Sequence, residues 1–187
     1  LQSAAAALSE RLMLTQPATL VDVDVVGRAA RRAAEAPRLE GVQLSTGEWQ
    51  SRRDVIRELL DAGERMTACR TQHDSQLIDA AWEQDLLEVR QSLLAYGDKW
   101  WKVFSGRFRA ARTRLQGLVR ETSPKTNAGM LELVDSVLTY QQNKKVYDQH
   151  EALGSALFGA QWQRQKTDWA VLERLSAWVI KLHDDLG

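Results

Sequence analysis

The sequence has few of the residues that interrupt or cross-link helices. Its single cysteine, Cys69, has no partner for an internal disulfide, which fits a reducing compartment such as the cytoplasm. Only three prolines interrupt 187 residues rich in Leu, Ala, Arg and Glu, and this scarcity favours long helices. No apolar run approaches the roughly 20 residues that a membrane helix needs. We therefore expect a cytoplasmic protein with no membrane partner.

Sequence motifs of the common catalytic sites are also missing. There is no Gly-x-x-x-x-Gly-Lys-Ser/Thr loop, no Gly-x-Gly-x-x-Gly and no His-Glu-x-x-His. Di-iron bundles use Glu-x-x-His pairs, but none of the three histidines follows a Glu at that spacing. Cys69 and His73, four residues apart, are too few to define a metal site, and they are read as a buried Cys beside a surface His. We therefore assign no catalytic residue, metal or cofactor.

Net charge gives no indication of partners, because 25 basic residues balance 25 acidic ones. The charges are nevertheless unevenly placed along the chain. Nine acidic and three basic residues lie between Glu58 and Asp98, whereas seven basic residues and no acidic one lie between Lys99 and Arg120. The candidate nucleic-acid-binding residues of this basic run are Lys99, Lys102, Arg107, Arg109, Arg112 and Arg114. The alternative is that these side chains pair with acids on neighbouring helices or are simply solvated.

Helical patterns fill the first part of the chain. Residues 2–14 predict a short helix, and Thr19 is placed to cap a second helix over 20–35 that Pro37 ends. A third helix is predicted over 48–71. We assign residues 1–74 as N-terminal helices that pack on the base of a hairpin formed by the rest of the chain.

The clearest pattern is an apolar seam whose members recur at spacings of four and three residues. The seam consists of Trp82, Leu86, Val89, Leu93, Tyr96, Trp100, Phe104, Phe108, Ala111, Leu115 and Leu118. Coiled coils have this spacing. It predicts one helix, or two collinear helices, over about 75–119, with bends favoured at Gly97 and at Ser105–Gly106.

The stretch 122–127 breaks the helical pattern, which resumes from Met130 to Tyr147, so the chain is expected to fold back. The predicted fold class is all-α: an elongated helical bundle with a long antiparallel coiled-coil-like hairpin. Residues 75–187 are assigned to the hairpin and a Trp-rich C-terminal helix. Together with residues 1–74 they are expected to form one structural domain, cut from a larger protein.

The C-terminal part concentrates tryptophan. Gly159 is placed to end a helix, and Thr167 to cap a last helix from Asp168 to about residue 184. Three tryptophans fall in this region: Trp162, Trp169 and Trp178. Buried aromatic side chains supply large apolar area, so we interpret the three as a structural cluster that anchors the last helix.

Two segments carry a resemblance to a known family. The combination Leu157-Phe158-Gly159, Trp162, Thr167-Asp168-Trp169, Leu172 and Trp178 resembles a segment of large bacterial superfamily 1 helicases, which carry long helical insertions in a P-loop, ATP-driven motor region. Residues 100–112, Trp-Trp-Lys-Val-Phe-Ser-Gly-Arg-Phe-Arg-Ala-Ala-Arg, are similar to the basic-aromatic helix that precedes that segment, and Asp85-Leu86 also fits. The resemblance covers roughly residues 80–182. The sequence departs from the family pattern at Arg164, where glycine is favoured.

The resemblance implies a non-catalytic insertion or arm of an ATP-dependent helicase-like parent, whose nucleotide-binding motifs lie outside this chain. The implied partners are the parent's motor domains and the backbone of DNA or RNA. An alternative function is a protein–protein interaction module, in which an exposed helical seam pairs with another protein or with a second copy. A third class, a small metalloenzyme using Cys69 and the histidines, has the least support.

Overall fold

The computed structural model describes residues 2–11, 15–96, 104–120 and 124–186. In these ranges the α-helices are α1 (Gln2–Arg11), α2 (Leu20–Ala34), α3 (Glu48–Ser51), α4 (Arg53–His73), α5 (Leu87–Tyr96), α6 (Gly106–Gln116), α7 (Asn127–Phe158) and α8 (Trp169–Leu186). Short 3₁₀ helices lie at Asp79–Glu83, Gly159–Gln161 and Arg164–Lys166. The all-α class is therefore confirmed. None of these helices is both long enough and apolar enough to cross a bilayer.

The N-terminal helices follow the predicted pattern with one break. Thr19 caps α2, because its hydroxyl accepts a hydrogen bond from the Asp22 N–H (3.2 Å). The Asp22 carboxylate accepts one in return from the Thr19 N–H (2.7 Å), which completes a capping box. The helix predicted over 48–71 is divided at Arg52 into α3 and α4.

The chain divides into two compact units, with boundaries inside α4 and α7. Unit 1 combines the chain up to Leu60 with the chain from His150 onward, and unit 2 is Asp61–Gln149. This division differs from the predicted boundary at residue 74. The reason is that α8 packs against α2 and α3, which joins the C-terminal helix to the N-terminal ones.

In unit 1, two glycines allow the loop before α3 to reach the end of α7. Gly159 has a φ of 50° and Gly41 a φ of 75°, both in the left-handed region that favours glycine. A Cβ on Gly159 would lie 2.2 Å from the Gly41 carbonyl oxygen, so a side chain cannot fit there. The Gln43 N–H donates to the Leu157 carbonyl (3.0 Å) and fixes the approach. Gly159 therefore ends α7, as predicted.

The three C-terminal tryptophans have different surroundings. The Trp162 ring packs edge-on against Trp169, with ring centroids 5.6 Å apart, and stacks on Phe158 at 6.0 Å. Trp178 connects α8 to α2, because its indole N–H donates a hydrogen bond to the Arg32 carbonyl (2.9 Å). Ring contacts thus join Trp162 to Trp169, while Trp178 anchors the same helix through its hydrogen bond to α2.

The start of α8 differs slightly from the prediction. Asp168, rather than Thr167, caps the helix, because its carboxylate accepts a hydrogen bond from the Val171 N–H (3.1 Å). The Thr167 hydroxyl instead accepts from the Gln163 N–H (2.9 Å), which closes the 3₁₀ turn before the helix. A carboxylate at this position also suits the positive end of the helix dipole.

In unit 2, the predicted continuous helix over 75–119 is wrong. A 3₁₀ turn precedes α5, and α5 and α6 pack against each other instead of continuing one axis. The ends of this pair are joined where the Ile78 N–H donates to the Leu118 carbonyl (3.0 Å) and the Arg120 N–H to the Gln76 carbonyl (2.8 Å). Residues 97–103 of the connection between the helices, which include Gly97, lie outside the described residues.

The apolar seam folds back on itself because the folded-back arrangement buries its side chains. Most of its described members share one core with α7, formed by Leu77, Trp82, Leu86, Val89, Leu93, Phe108, Ala111, Leu115, Leu133, Val134 and Val137. A straight helix would expose much of this apolar edge to water, whereas two short helices facing each other and α7 remove it from water. The long coiled-coil hairpin is therefore replaced by a compact α5–α6 pair.

Candidate nucleic-acid interface

The helix α6 carries most of the described part of the basic run. The Ser105 hydroxyl caps it by accepting from the Phe108 N–H (3.3 Å). Phe108, Ala111 and Leu115 are buried, at the three- and four-residue spacing of a helix edge. This edge fixes the rotation of α6 about its axis, so the arginines between these residues are directed away from the core.

Four of the six candidate residues lie on α6, and all four are exposed: Arg107, Arg109, Arg112 and Arg114. None of them forms an ion pair or a side-chain hydrogen bond with another residue in the described ranges. The alternative of pairing with acids on neighbouring helices is thus not seen there. The other two candidates, Lys99 and Lys102, lie outside the described residues.

Arg120, the last residue of the basic run, has a structural role instead. Its guanidinium donates to the backbone carbonyls of Leu77 (2.8 Å) and Asp74 (3.1 Å). It also lies 3.9 Å from the Asp79 carboxylate, which pairs with Arg70 at 3.1 Å. Arg120 therefore joins the two ends of the α5–α6 pair. The nearby Asp79 carboxylate faces Arg120 and Arg70.

The four arginines of α6 form two pairs, not one ridge. With 3.6 residues per turn, Arg107 and Arg114, seven residues apart, lie on one flank of the buried edge. Arg109 and Arg112 lie on the other flank. The helical period alone could have separated these pairs, but the sequence did not show that α5 packs beside the first flank. We refer to Arg107 and Arg114 as the groove pair, and to Arg109 and Arg112 as the outer pair.

A groove of about 520 Å³ lies between α5 and α6. The groove pair lines it from α6, and Glu88, Ser92 and Tyr96 are among the residues that line it from α5. Tyr96, a member of the apolar seam, is half-buried: it packs against the core of unit 2 and also lines this groove. The described part of the groove lining therefore combines two guanidinium groups, one carboxylate and one aromatic ring.

The structure corrects the reading of Cys69 and His73. His73 is buried rather than on the surface, with 2% of its area exposed, and Cys69 is half-buried. The Glu132 carboxylate lies 4.0 Å from His73 Nε2. Burial raises the pKa of the Cys69 thiol. Across the described positions, no group of three or more His, Cys, Asp and Glu side chains is arranged to hold a metal ion.

Comparison with protein-family models, with curated proteins and with solved structures finds no match to this chain. The resemblance to helicase insertions therefore rests on the residues that carry it. Arg164, where the family pattern favours glycine, has a φ of 54°, a left-handed conformation that glycine adopts most readily.

Proposed function

We propose that this chain is a cytoplasmic, non-catalytic helical domain that contacts the phosphate backbone of DNA or RNA through α6. The observation that carries the proposal is a helix of 11 residues with four exposed arginines that lack an acidic partner among the described residues. A guanidinium matches phosphate oxygens with paired hydrogen bonds. Binding to a nucleic acid would also release the counterions condensed on its phosphates. Backbone contacts carry no sequence information, so we expect binding without sequence preference.

Fluorescence anisotropy at low salt, with single- and double-stranded DNA of arbitrary sequence, tests the proposal. Charge reversal of the outer pair in Arg109→Glu/Arg112→Glu should weaken binding at least tenfold. The matched control is Arg65→Glu/Lys145→Glu, which changes the net charge equally at two exposed positions of unit 2. Absence of binding by the natural sequence, or equal loss in both variants, would contradict the proposal.

We further propose that the parent is a superfamily 1 helicase-like protein in which this chain is a helical insertion beside the motor domains. The support is the resemblance of residues 80–182, together with the left-handed backbone at Arg164. The chain itself contains no phosphate-binding loop and should not hydrolyse ATP. Reading the flanking sequence in the same frame tests this: a Gly-x-x-x-x-Gly-Lys-Ser/Thr loop is expected, and its absence would remove the helicase assignment.

A second candidate function, pairing with a protein or a second copy, now depends on α5. The described seam residues are largely in the core, but Leu87 and Leu94, seven residues apart on α5, are 55% and 54% exposed. Light scattering over a range of protein concentrations tests self-association. A dimer that Leu87→Glu/Leu94→Glu dissociates would favour this function, and a monomer at all concentrations would count against self-association.

A further inference from the structure

The groove between α5 and α6 has the size of a small-molecule site. Its volume of about 520 Å³ falls within the roughly 300–1,000 Å³ typical of ligand pockets. We propose that it binds one nucleoside monophosphate unit, either free or as an unstacked unit of a single strand. This inference deepens the proposed function. Binding of a unit that belongs to a single strand rests on that function.

The α6 wall of the groove supplies the phosphate contacts. The groove pair is separated by about 10 Å along the helix axis, since each residue advances about 1.5 Å. Neither arginine has an acidic partner among the described residues, and each guanidinium group carries several N–H donors for an anion. No acidic residue lies in the first turn of α6, where the helix dipole adds to the positive potential near Arg107.

The α5 wall limits how much negative charge the ligand can carry. Among the described residues that line the groove, Glu88 is the one that carries a carboxylate. It would repel a second phosphate placed beside it, but it can accept hydrogen bonds from a sugar hydroxyl or a base amino group. The Ser92 hydroxyl can donate or accept. The groove therefore suits a single phosphate attached to a neutral polar group better than a di- or triphosphate.

Tyr96 supplies the aromatic surface. It lines the groove as the last residue of α5, and it is half-buried where it packs against the core of unit 2. Stacking on aromatic rings is a general way in which proteins hold unpaired bases, and it tolerates every base. A base within a duplex is already stacked and paired, so only an unpaired base can enter the groove. Single strands should therefore use both arginine pairs, whereas a duplex should rely on the outer pair.

The experiment compares Arg107→Ala/Arg114→Ala with Arg109→Ala/Arg112→Ala, which remove the same charge from the same helix. The ligands are adenosine 5′-monophosphate, followed by ligand-detected NMR, and a fluorescent single-stranded oligonucleotide, followed by anisotropy. Loss of the groove pair should weaken mononucleotide binding at least tenfold, and loss of the outer pair should change it less than threefold. Both losses should weaken oligonucleotide binding.

Tyr96 gives an independent arm. Tyr96→Ala should weaken binding of both ligands about tenfold or more, whereas Tyr96→Phe, which keeps the ring, should bind like the natural sequence. If Tyr96→Ala is unfolded by circular dichroism, the comparison of the two arginine pairs still decides the matter. Equal mononucleotide affinity in the two arginine variants would overturn the groove site.

The outcomes also separate the two proposals. Oligonucleotide binding that both arginine variants weaken equally, without any mononucleotide binding, would leave the backbone-binding function and remove the groove site. Mononucleotide binding that depends on the groove pair, without binding of any strand, would leave the groove site and remove the backbone-binding function. Adenosine, which lacks the phosphate, should not bind; if it binds as well as the monophosphate, the arginines are not the phosphate contacts and the inference is wrong.

Discussion

Replacing Gly159 by alanine tests the close backbone approach in unit 1. Its φ of 50° lies in the left-handed region, where a Cβ costs about 1–2 kcal/mol. The added Cβ would also lie 2.2 Å from the Gly41 carbonyl oxygen, a backbone atom that cannot rotate away. Relief requires the loop to separate from the end of α7, which sacrifices the Gln43–Leu157 hydrogen bond, worth about 1 kcal/mol.

We therefore expect Gly159→Ala to lower the free energy of unfolding by about 2 kcal/mol or more, which corresponds to a fall in Tm of roughly 4–8 °C. Urea denaturation followed by circular dichroism measures the loss. The matched control is Gly27→Ala in α2, where an added Cβ meets no atom within 4 Å. That variant should be unchanged or up to about 1 kcal/mol more stable. A Gly159→Ala protein as stable as the natural sequence would refute the packing of Gly41 on Gly159.

Three further predictions follow from single residues. Arg164→Gly should be as stable as the natural sequence or slightly more so in urea denaturation, because relief of the left-handed backbone offsets loss of the exposed ion pair with Glu151 (3.1 Å); a clear loss of stability would contradict it. Hydrogen bonds from the backbone and hydroxyl of Thr19 lower the pKa of Asp22 in the folded protein. The ionised carboxylate therefore stabilises α2 fully at pH values above the ordinary pKa of Asp, and this stabilisation is lost as the pH falls through the lower pKa of the folded state. Thermal melts of Asp22→Asn should therefore differ from the natural protein at neutral pH and converge in acid, and a constant difference would refute the assignment. Because burial raises the pKa of Cys69, a thiol reagent at mildly alkaline pH should label the folded chain more slowly than the chain in urea, and equal rates would show that the thiol is accessible.

Local signals in the sequence were enough to place most helices. The Thr19 cap, the glycine at 159 and the sparse prolines each act over a few residues, and the structure has α2 and α7 beginning or ending near them. These features depend on the chain within one or two turns, so they can be read without tertiary information.

The path of the apolar seam could not be read in this way. Spacings of four and three residues from Trp82 to Leu118 fit a long rod and an α5–α6 pair equally well, because both place the same residues along one helix edge. What decides between them is whether the two halves of the seam face each other and α7, and that depends on residues far apart in the chain. The backbone contacts of Arg120 with Leu77 and Asp74 show how such distant residues hold the ends of the pair.

The candidate interface was likewise predicted only in part. The basic run is visible in the sequence, and four of its members are exposed on α6. Their separation into the groove pair and the outer pair depends on where α5 packs. The role of Arg120 as a structural contact also follows from the fold, because its partners precede it by more than 40 residues.

The salt dependence of nucleic-acid binding tests the role of α6 most directly. Affinity for a single-stranded oligonucleotide would be measured by anisotropy over a range of salt concentrations, for the natural sequence and for a variant with all four α6 arginines replaced by alanine. Each phosphate contact contributes about 0.7 to the slope of log K against log salt. If the four arginines contact phosphates, the slope should become shallower by roughly 3 in the variant; parallel lines for the two proteins would mean that α6 is not the interface.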